Sequence, residues 1–199
     1  MRTPDRIDDL AAALARPGRP SSDYDLNPDV VPAGNRVLRP AAVLMPVLST
    51  PQGARLILTK RASHLAHHPG QIAFPGGKLD ECDADAAACA RREAREEIGL
   101  DAANTEILGI LDPHETVTGF SVTPVLCRVL ADFEPRPQAD EVAEVFTVPL
   151  AHVLDSGQYR IERRLWRDQW RKYYAVPYGP YYIWGATARI LRALVDRMG

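Results

Sequence analysis

The chain has 199 residues, 46% hydrophobic and 25% charged, with a formal net charge of −2. That length and balance fit one soluble globular domain with a sizeable core. No global positive field is available for nucleic acid or an anionic membrane, so an anionic small-molecule substrate has to be attracted locally.

Apolar positions at Ile7, Leu10, Ala11 and Leu14 predict a short amphipathic helix over Ile7 to Ala15. The Pro-, Gly- and Asp-rich stretch that follows predicts an irregular arm. Residues 1–38 are thus expected to lie packed on a domain formed by residues 39–199. Ala41 to Leu48 and Ala54 to Thr59 read as hairpin strands joined at Pro51-Gln52-Gly53. His64 to Gly70 reads as a loop. A brief strand at Ile72 to Phe74 is expected to turn into a loop at Pro75-Gly76-Gly77. Asp83 or Asp85 is expected to cap a helix that runs to about Ile98 and stops at Gly99. Ile107 to Leu111 and Ser121 to Leu130 read as strands, Ala139 to Val145 as a turn or short helix, and Val145 to Val148 as extended. A short helix at Leu150 to Leu154 precedes a hairpin of Tyr159 to Trp166 with Tyr173 to Val176. A last strand is expected at Tyr181 to Trp184 and a last helix at Ala186 to Met198. This mixed order predicts an α+β architecture, layered α/β/α around a mixed sheet.

Three cysteines without a Cys-x-x-Cys spacing argue against a disulfide framework or a zinc site. His64 and His68 have a zinc-like i,i+4 spacing, but Pro69-Gly70 argues against a helix there. No signal peptide or membrane span is visible, so a reducing cytoplasm is expected. The chain is expected to be a monomer or a homodimer.

The most telling segment is Arg92-Glu93-Ala94-Arg95-Glu96-Glu97-Ile98-Gly99-Leu100. Glu93, Glu96 and Glu97 fall at i,i+3 and i,i+4, hence toward one side of a helical turn. Like charges at i,i+4 weaken a helix by about 0.2–0.5 kcal/mol. Glu96 has Arg92 as an i,i+4 partner, while Glu93 and Glu97 lack one within the segment. A bare Arg/Glu run is ordinarily a solvated face. The upstream Gly76-Gly77 pair alters that reading, because glycine lets backbone approach a ligand. A repulsive carboxylate cluster makes sense if Mg²⁺ or Mn²⁺ settles on it.

The segment from Gly76 to Leu100 resembles the Nudix box, G-x5-E-x7-R-E-U-x-E-E-x-G-U, where U is aliphatic. Counted from Gly77, Asp83 stands where the box has Glu, eight residues instead of seven precede Arg92, and Ala94 takes the first U. The resemblance implies a metal-dependent hydrolase of nucleoside diphosphate derivatives. It implies Mg²⁺ or Mn²⁺ on Glu93 and Glu97, with Glu96 as a further ligand or the catalytic base, and Arg92 orienting Glu96 or a neighbour. Glu141, in a Glu-Val pattern before a strand, resembles a further catalytic or metal-binding acid.

Leu58 to Ser63 and His67-His68-Pro69-Gly70-Gln71-Ile72-Ala73-Phe74-Pro75-Gly76-Gly77 resemble the extra motif of the coenzyme A pyrophosphatase subgroup. Thr116 to Phe120, Val122 to Val125, Asp140-Glu141-Val142 and Trp184 to Ala188 resemble the same subgroup, in which the extra box residue recurs. The implied substrate is coenzyme A or an acyl-coenzyme A, with Lys60, Arg61, Lys78 and His67 as phosphate contacts and Gly76 and Gly77 beside the ligand. A Nudix enzyme for ADP-ribose or NADH, and a non-catalytic Nudix-fold binding module, are the rival expectations. The aromatic stretch from Tyr173 to Trp184 fits core packing or a subunit interface better than adenine stacking.

Overall fold

The computed structural model describes residues 7–32, 34, 36–65, 68–166 and 168–199. In chain order the elements are α1 (Ile7–Leu14), β1 (Ser21–Ser22), β2 (Arg39–Thr50), β3 (Gly53–Arg61), β4 (Ile72–Ala73), β5 (Gly76–Lys78) and α2 (Ala86–Ile98). They continue with β6 (Thr105–Ile110), β7 (His114–Glu115), β8 (Phe120–Val129), β9 (Val142–Pro149), α3 (Leu150–Val153), β10 (Arg160–Trp166), β11 (Gln169–Ala175) and α4 (Ala186–Met198).

β2 is the axis of a nine-stranded mixed sheet. It pairs in parallel with β8 from Arg39–Phe120 to Leu48–Val129, and antiparallel with β3 at its far end. β9 adds antiparallel to β3, and β6 to β8. Alternation along β2 fills two cores. Ala42 and Leu44 face α2 with Ile57, Val125 and Cys127. Met45 and Val47 face α1 and α4, with Ile7, Leu10, Ile190, Leu191 and Leu194. The expected α/β/α layering of a mixed sheet is therefore what the chain forms.

α2 begins where Asp85 caps it, its Oδ1 accepting from the Ala88 N–H at 2.8 Å. It ends at Gly99, which adopts the left-handed conformation (φ 72°) and donates its N–H to the Arg95 carbonyl at 3.0 Å. Of the two candidate caps, Asp85 takes the role.

Several expectations need correction. Gly76-Gly77 is not a turn into a loop but the start of β5, paired antiparallel with β2. A Cβ at Gly76 would lie 2.4 Å from the Ala42 carbonyl oxygen, so only glycine lets this strand press so closely on its neighbour. Tyr181 to Trp184 is not a strand. It makes only single bridges, Tyr178 with Tyr181 and Ala175 with Trp184, because Pro177, Gly179 and Pro180 fold the segment into a tight turn. β9 already begins at Val142, so of the expected turn or short helix only a turn over residues 139–141 is formed. β11 already begins at Gln169, so the β10–β11 ladder is longer than the apolar pattern suggests. The two-residue strands β1 and β7 carry too few residues for any periodicity to announce them.

Candidate active site

The site is built where α2 packs beneath β5. Glu97 is only 5% exposed, and its carboxylate accepts the Gly76 N–H at 3.1 Å. Burial pushes its carboxyl up to about 8 from an ordinary 4.5, and the Glu93 and Glu141 charges add to this, against the opposing Gly76 hydrogen bond and Arg61. Glu93 is raised as well, first by burial, with Glu96 and Glu141 adding to it and Arg92 opposing. A Cβ at Gly77 would stand 2.4 Å from Glu93 Oε1, so the absent side chain is what seats this carboxylate.

Glu96 behaves differently. Its side chain is 59% exposed and its Oε2 lies 3.2 Å from Arg92 Nη1. The helical turn thus splits the three glutamates into an outward one and two that are tucked under the sheet edge. Among the described residues no three acidic, histidine or cysteine side chains stand gathered as a metal cluster.

Arg92 has a partner that the spacing did not single out. Its Nε and Nη2 reach the two oxygens of Asp83 at 3.0 and 2.8 Å, a bidentate pair in which the Asp83 side chain is 4% exposed. The Arg92 hydrogen bonds hold the Asp83 carboxyl down at about 2. The same guanidinium donates to Glu93 at 3.0 Å and to the Lys78 carbonyl at 3.2 Å. Arg92 is thus a hub that ties the loop before α2 to Glu93, with Glu96 as one partner of several. The carboxylate at the box's first acidic place was the available clue, though chain distance alone did not reveal the pair.

Arg61 ends β3 on the α2 side. Its charge is felt at Glu97, and its Nε is a buried donor without a hydrogen-bond partner among the described residues. Lys60 is exposed and pairs in register with Ile72 and Glu144. Strand alternation puts it with Leu58 on the face away from α2. Lys78 is exposed at the end of β5, its carbonyl taken by Arg92. Glu141 is exposed in the turn before β9, where its carbonyl accepts the Ala62 N–H at 2.8 Å. The charge of Glu141 reaches both Glu93 and Glu97. His67 lies outside the described residues. Of the three free thiols, Cys82 is exposed, whereas burial raises Cys89 to about 11 and Cys127 to about 12.

A cleft of about 520 Å³ flanks the outer side of this helix, lined by Arg95, Glu96, Gly99, Asp101, Arg136 and Gln138. Neither Glu93 nor Glu97 lines it, so size alone does not mark the chemistry.

The NUDIX domain profile matches residues 38–169, two thirds of the chain. The chain belongs to the Nudix family. An Escherichia coli K12 protein called an uncharacterized Nudix hydrolase, NudL, is 42% identical over 161 residues, covering 81% of this chain and 83% of its own length. Its Salmonella paratyphi B counterpart is 44% identical over the same coverage. The Nudix domain of Shewanella oneidensis NrtR, solved with ADP ribose, shares the fold with a TM-score of 0.52 at 18% identity. That match covers 89% of this chain and 97% of that one. The Mycobacterium smegmatis Nudix hydrolase RenU superposes at 0.50 and 24% identity, covering 59% and 74%. The protein is accordingly a Nudix hydrolase. Enzymes of this family generally use divalent cations such as Mg²⁺ or Mn²⁺. No helix among the described residues is long and apolar enough to cross a membrane.

The residues present fit such a cation. All the available donors are carboxylate oxygens, which suit hard ions. Glu97 is a buried carboxylate that accepts the Gly76 N–H, and added positive charge would relieve its desolvation.

Proposed function

We propose that this Nudix hydrolase cleaves the pyrophosphate bond of coenzyme A and its thioesters. The products are 3′,5′-ADP and 4′-phosphopantetheine or its acyl form. The supporting observation is spatial. Segments far apart in the chain that each resemble the coenzyme A subgroup meet at one place. Thr187 Oγ1 donates to the Ile72 carbonyl at 3.0 Å, and Gln71 Nε2 lies 3.6 Å from where a Cβ on Gly185 would sit. The Asp140 carbonyl lies 3.1 Å from His64 Nε2, and Ala62 binds Glu141. The stretch from Gln71 to Gly77 therefore touches the closing segment at one end and Glu97 at the other.

Glu93 and Glu97, joined by Glu96 if it is not the base, would hold Mg²⁺ or Mn²⁺, which supplies charge neutralisation of the diphosphate and a more acidic water. The remaining work belongs to the chain. Arg61, with a donor to spare, holds a phosphate oxygen. Arg92 fixes Glu93 and the loop at Asp83, and the Gly76 N–H fixes Glu97, so the carboxylates are preorganised. Glu96 or Glu141, both solvent-facing, accepts the proton of the attacking water, whose oxygen bonds to phosphorus as the bridging P–O bond breaks.

The test is a substrate panel. Coenzyme A, ADP-ribose and NADH are each incubated with the enzyme in Mg²⁺ and in Mn²⁺, and the products are weighed by mass spectrometry. Coenzyme A is expected to yield 3′,5′-ADP and 4′-phosphopantetheine at the highest kcat/KM. Intact coenzyme A beside cleaved ADP-ribose would move the enzyme to the rival class.

A further inference from the structure

On the face of the sheet opposite α2, a second cleft of about 520 Å³ opens between the arm, the end of β6 and the C-terminal half of α4. It is lined by Arg16, Arg19, Asp112, Arg189, Asp196 and Arg197, with Pro17 and Gly18 along one wall. Four guanidinium groups thus share one cavity with two carboxylates, in a chain whose net charge is negative. We propose that this cleft binds a phosphate-bearing small molecule. The proposal stands independently of the substrate assignment.

Of the arginines, Arg189 is buried and Arg197 mostly so. The side chain of Arg189 is 10% exposed and that of Arg197 is 12% exposed. Each is held by one carboxylate at 2.6 Å, Arg189 by Asp25 and Arg197 by Asp112. A guanidinium carries five N–H donors, and one carboxylate cannot satisfy them. In both residues Nη1 is buried with no hydrogen-bond partner among the described residues. An unmet buried donor is costly, by about 1–3 kcal/mol, so a small shift that brings either Nη1 to an acceptor in the cleft would be favourable.

The two aspartates lining the cleft are already engaged. Asp112 is taken by Arg197, and Asp196 by Arg192 at 2.8 Å. The last carbonyls of α4, whose partial charge would repel an anion, are covered by Arg16, which donates to the Arg197 and Met198 carbonyls at 3.0 and 2.8 Å. Among the described residues neither Arg16 nor Arg19 makes an ion pair with a carboxylate. The arm closes tightly on this group, since a Cβ at Gly18 would lie 2.0 Å from Arg197 Nη2 and 2.2 Å from Asp112 Oδ2. Planar, multidentate donors match the oxygens of a phosphate better than a single carboxylate does.

Binding is measured by calorimetry on the full chain in chelator, so that a cation-dependent site stays silent. Inorganic phosphate and adenosine monophosphate are compared at matched ionic strength. Wild type is expected to bind at least one of them. An Arg16→Gln/Arg19→Gln variant is expected to lose roughly tenfold or more in affinity while keeping basal turnover, and Glu93→Gln is expected to bind as wild type does. Tighter binding of the nucleotide marks an ester as the occupant, whereas equal binding marks free phosphate. Undiminished affinity in the double arginine variant, loss of binding in Glu93→Gln, or no binding of either anion by wild type would each overturn the proposal. So would a phosphate-soaked crystal that shows only water beside Arg189 and Arg197.

Discussion

Glu97 is the residue in which burial and charge conflict most sharply. Without a cation its folded carboxyl titrates near 8 against an ordinary 4.5, so between those values the folded state keeps a proton that the unfolded chain releases. Stability then falls as pH rises through that window and levels off above it. One pKa unit is worth about 1.4 kcal/mol, so the loss is roughly 3–5 kcal/mol. A Glu97→Gln variant, whose amide oxygen still accepts the Gly76 N–H, should escape this loss. Urea titrations of both proteins in chelator, from about pH 5 to 9, should diverge upward in favour of the variant, and parallel curves would count against the burial argument. The same variant is expected to lose most Mg²⁺-dependent turnover. At this scale the run from Arg92 to Gly99 showed three glutamates at helical spacing. What stayed hidden was their division of labour. Helical spacing puts Glu93, Glu96 and Glu97 near one another, but only packing beneath β5 turns Glu97 inward and leaves Glu96 in water. The Asp83 fork on Arg92 was equally hidden, because a loop of unspecified path separates them.

Among the elements, β5 is the one whose nature the composition concealed. Gly76-Gly77 reads as a breaker, yet both glycines serve a strand, and they serve it differently. Gly76→Ala would drive a methyl into the backbone of β2, which cannot withdraw, and is expected to lower stability by about 1–3 kcal/mol. Gly77→Ala would meet the far end of the Glu93 side chain, which can swing away, so stability should hardly change while turnover collapses. Melting temperature and kcat measured on the pair would separate the two roles, and an equal fall of both quantities in both variants would refute the distinction. The strands β2, β3 and β8 were legible from their apolar runs and α2 from its caps. The Tyr181 to Trp184 segment misled, because its aromatic residues have strand propensity while Pro177 and Pro180 deny it a ladder.

For the molecule as a whole, the sheet has a layer on each face, and the N-terminal helix belongs to the second one. Leu10 is fully buried there, and Leu14 packs so near Gly109 that a Cβ on that glycine would approach it to 2.7 Å. Leu10→Ala is expected to cost about 2–4 kcal/mol of unfolding free energy without changing KM, because α1 and α2 lie on opposite sides of β2. A change under about 0.5 kcal/mol would show that the helix is an ornament. The layered α/β/α class followed from the order of elements, whereas the arginine cleft did not. Its residues come from the arm, the segment after β6 and α4, and no local motif joins them.

The thiols carry a practical corollary. Cys89 and Cys127 are sheltered and hard to ionise, whereas Cys82 stands in solvent next to Asp83. A maleimide dye should therefore mount itself at one address without any engineering. From that perch its fluorescence would track the loop that Arg92 clasps as nucleotide and cation come and go.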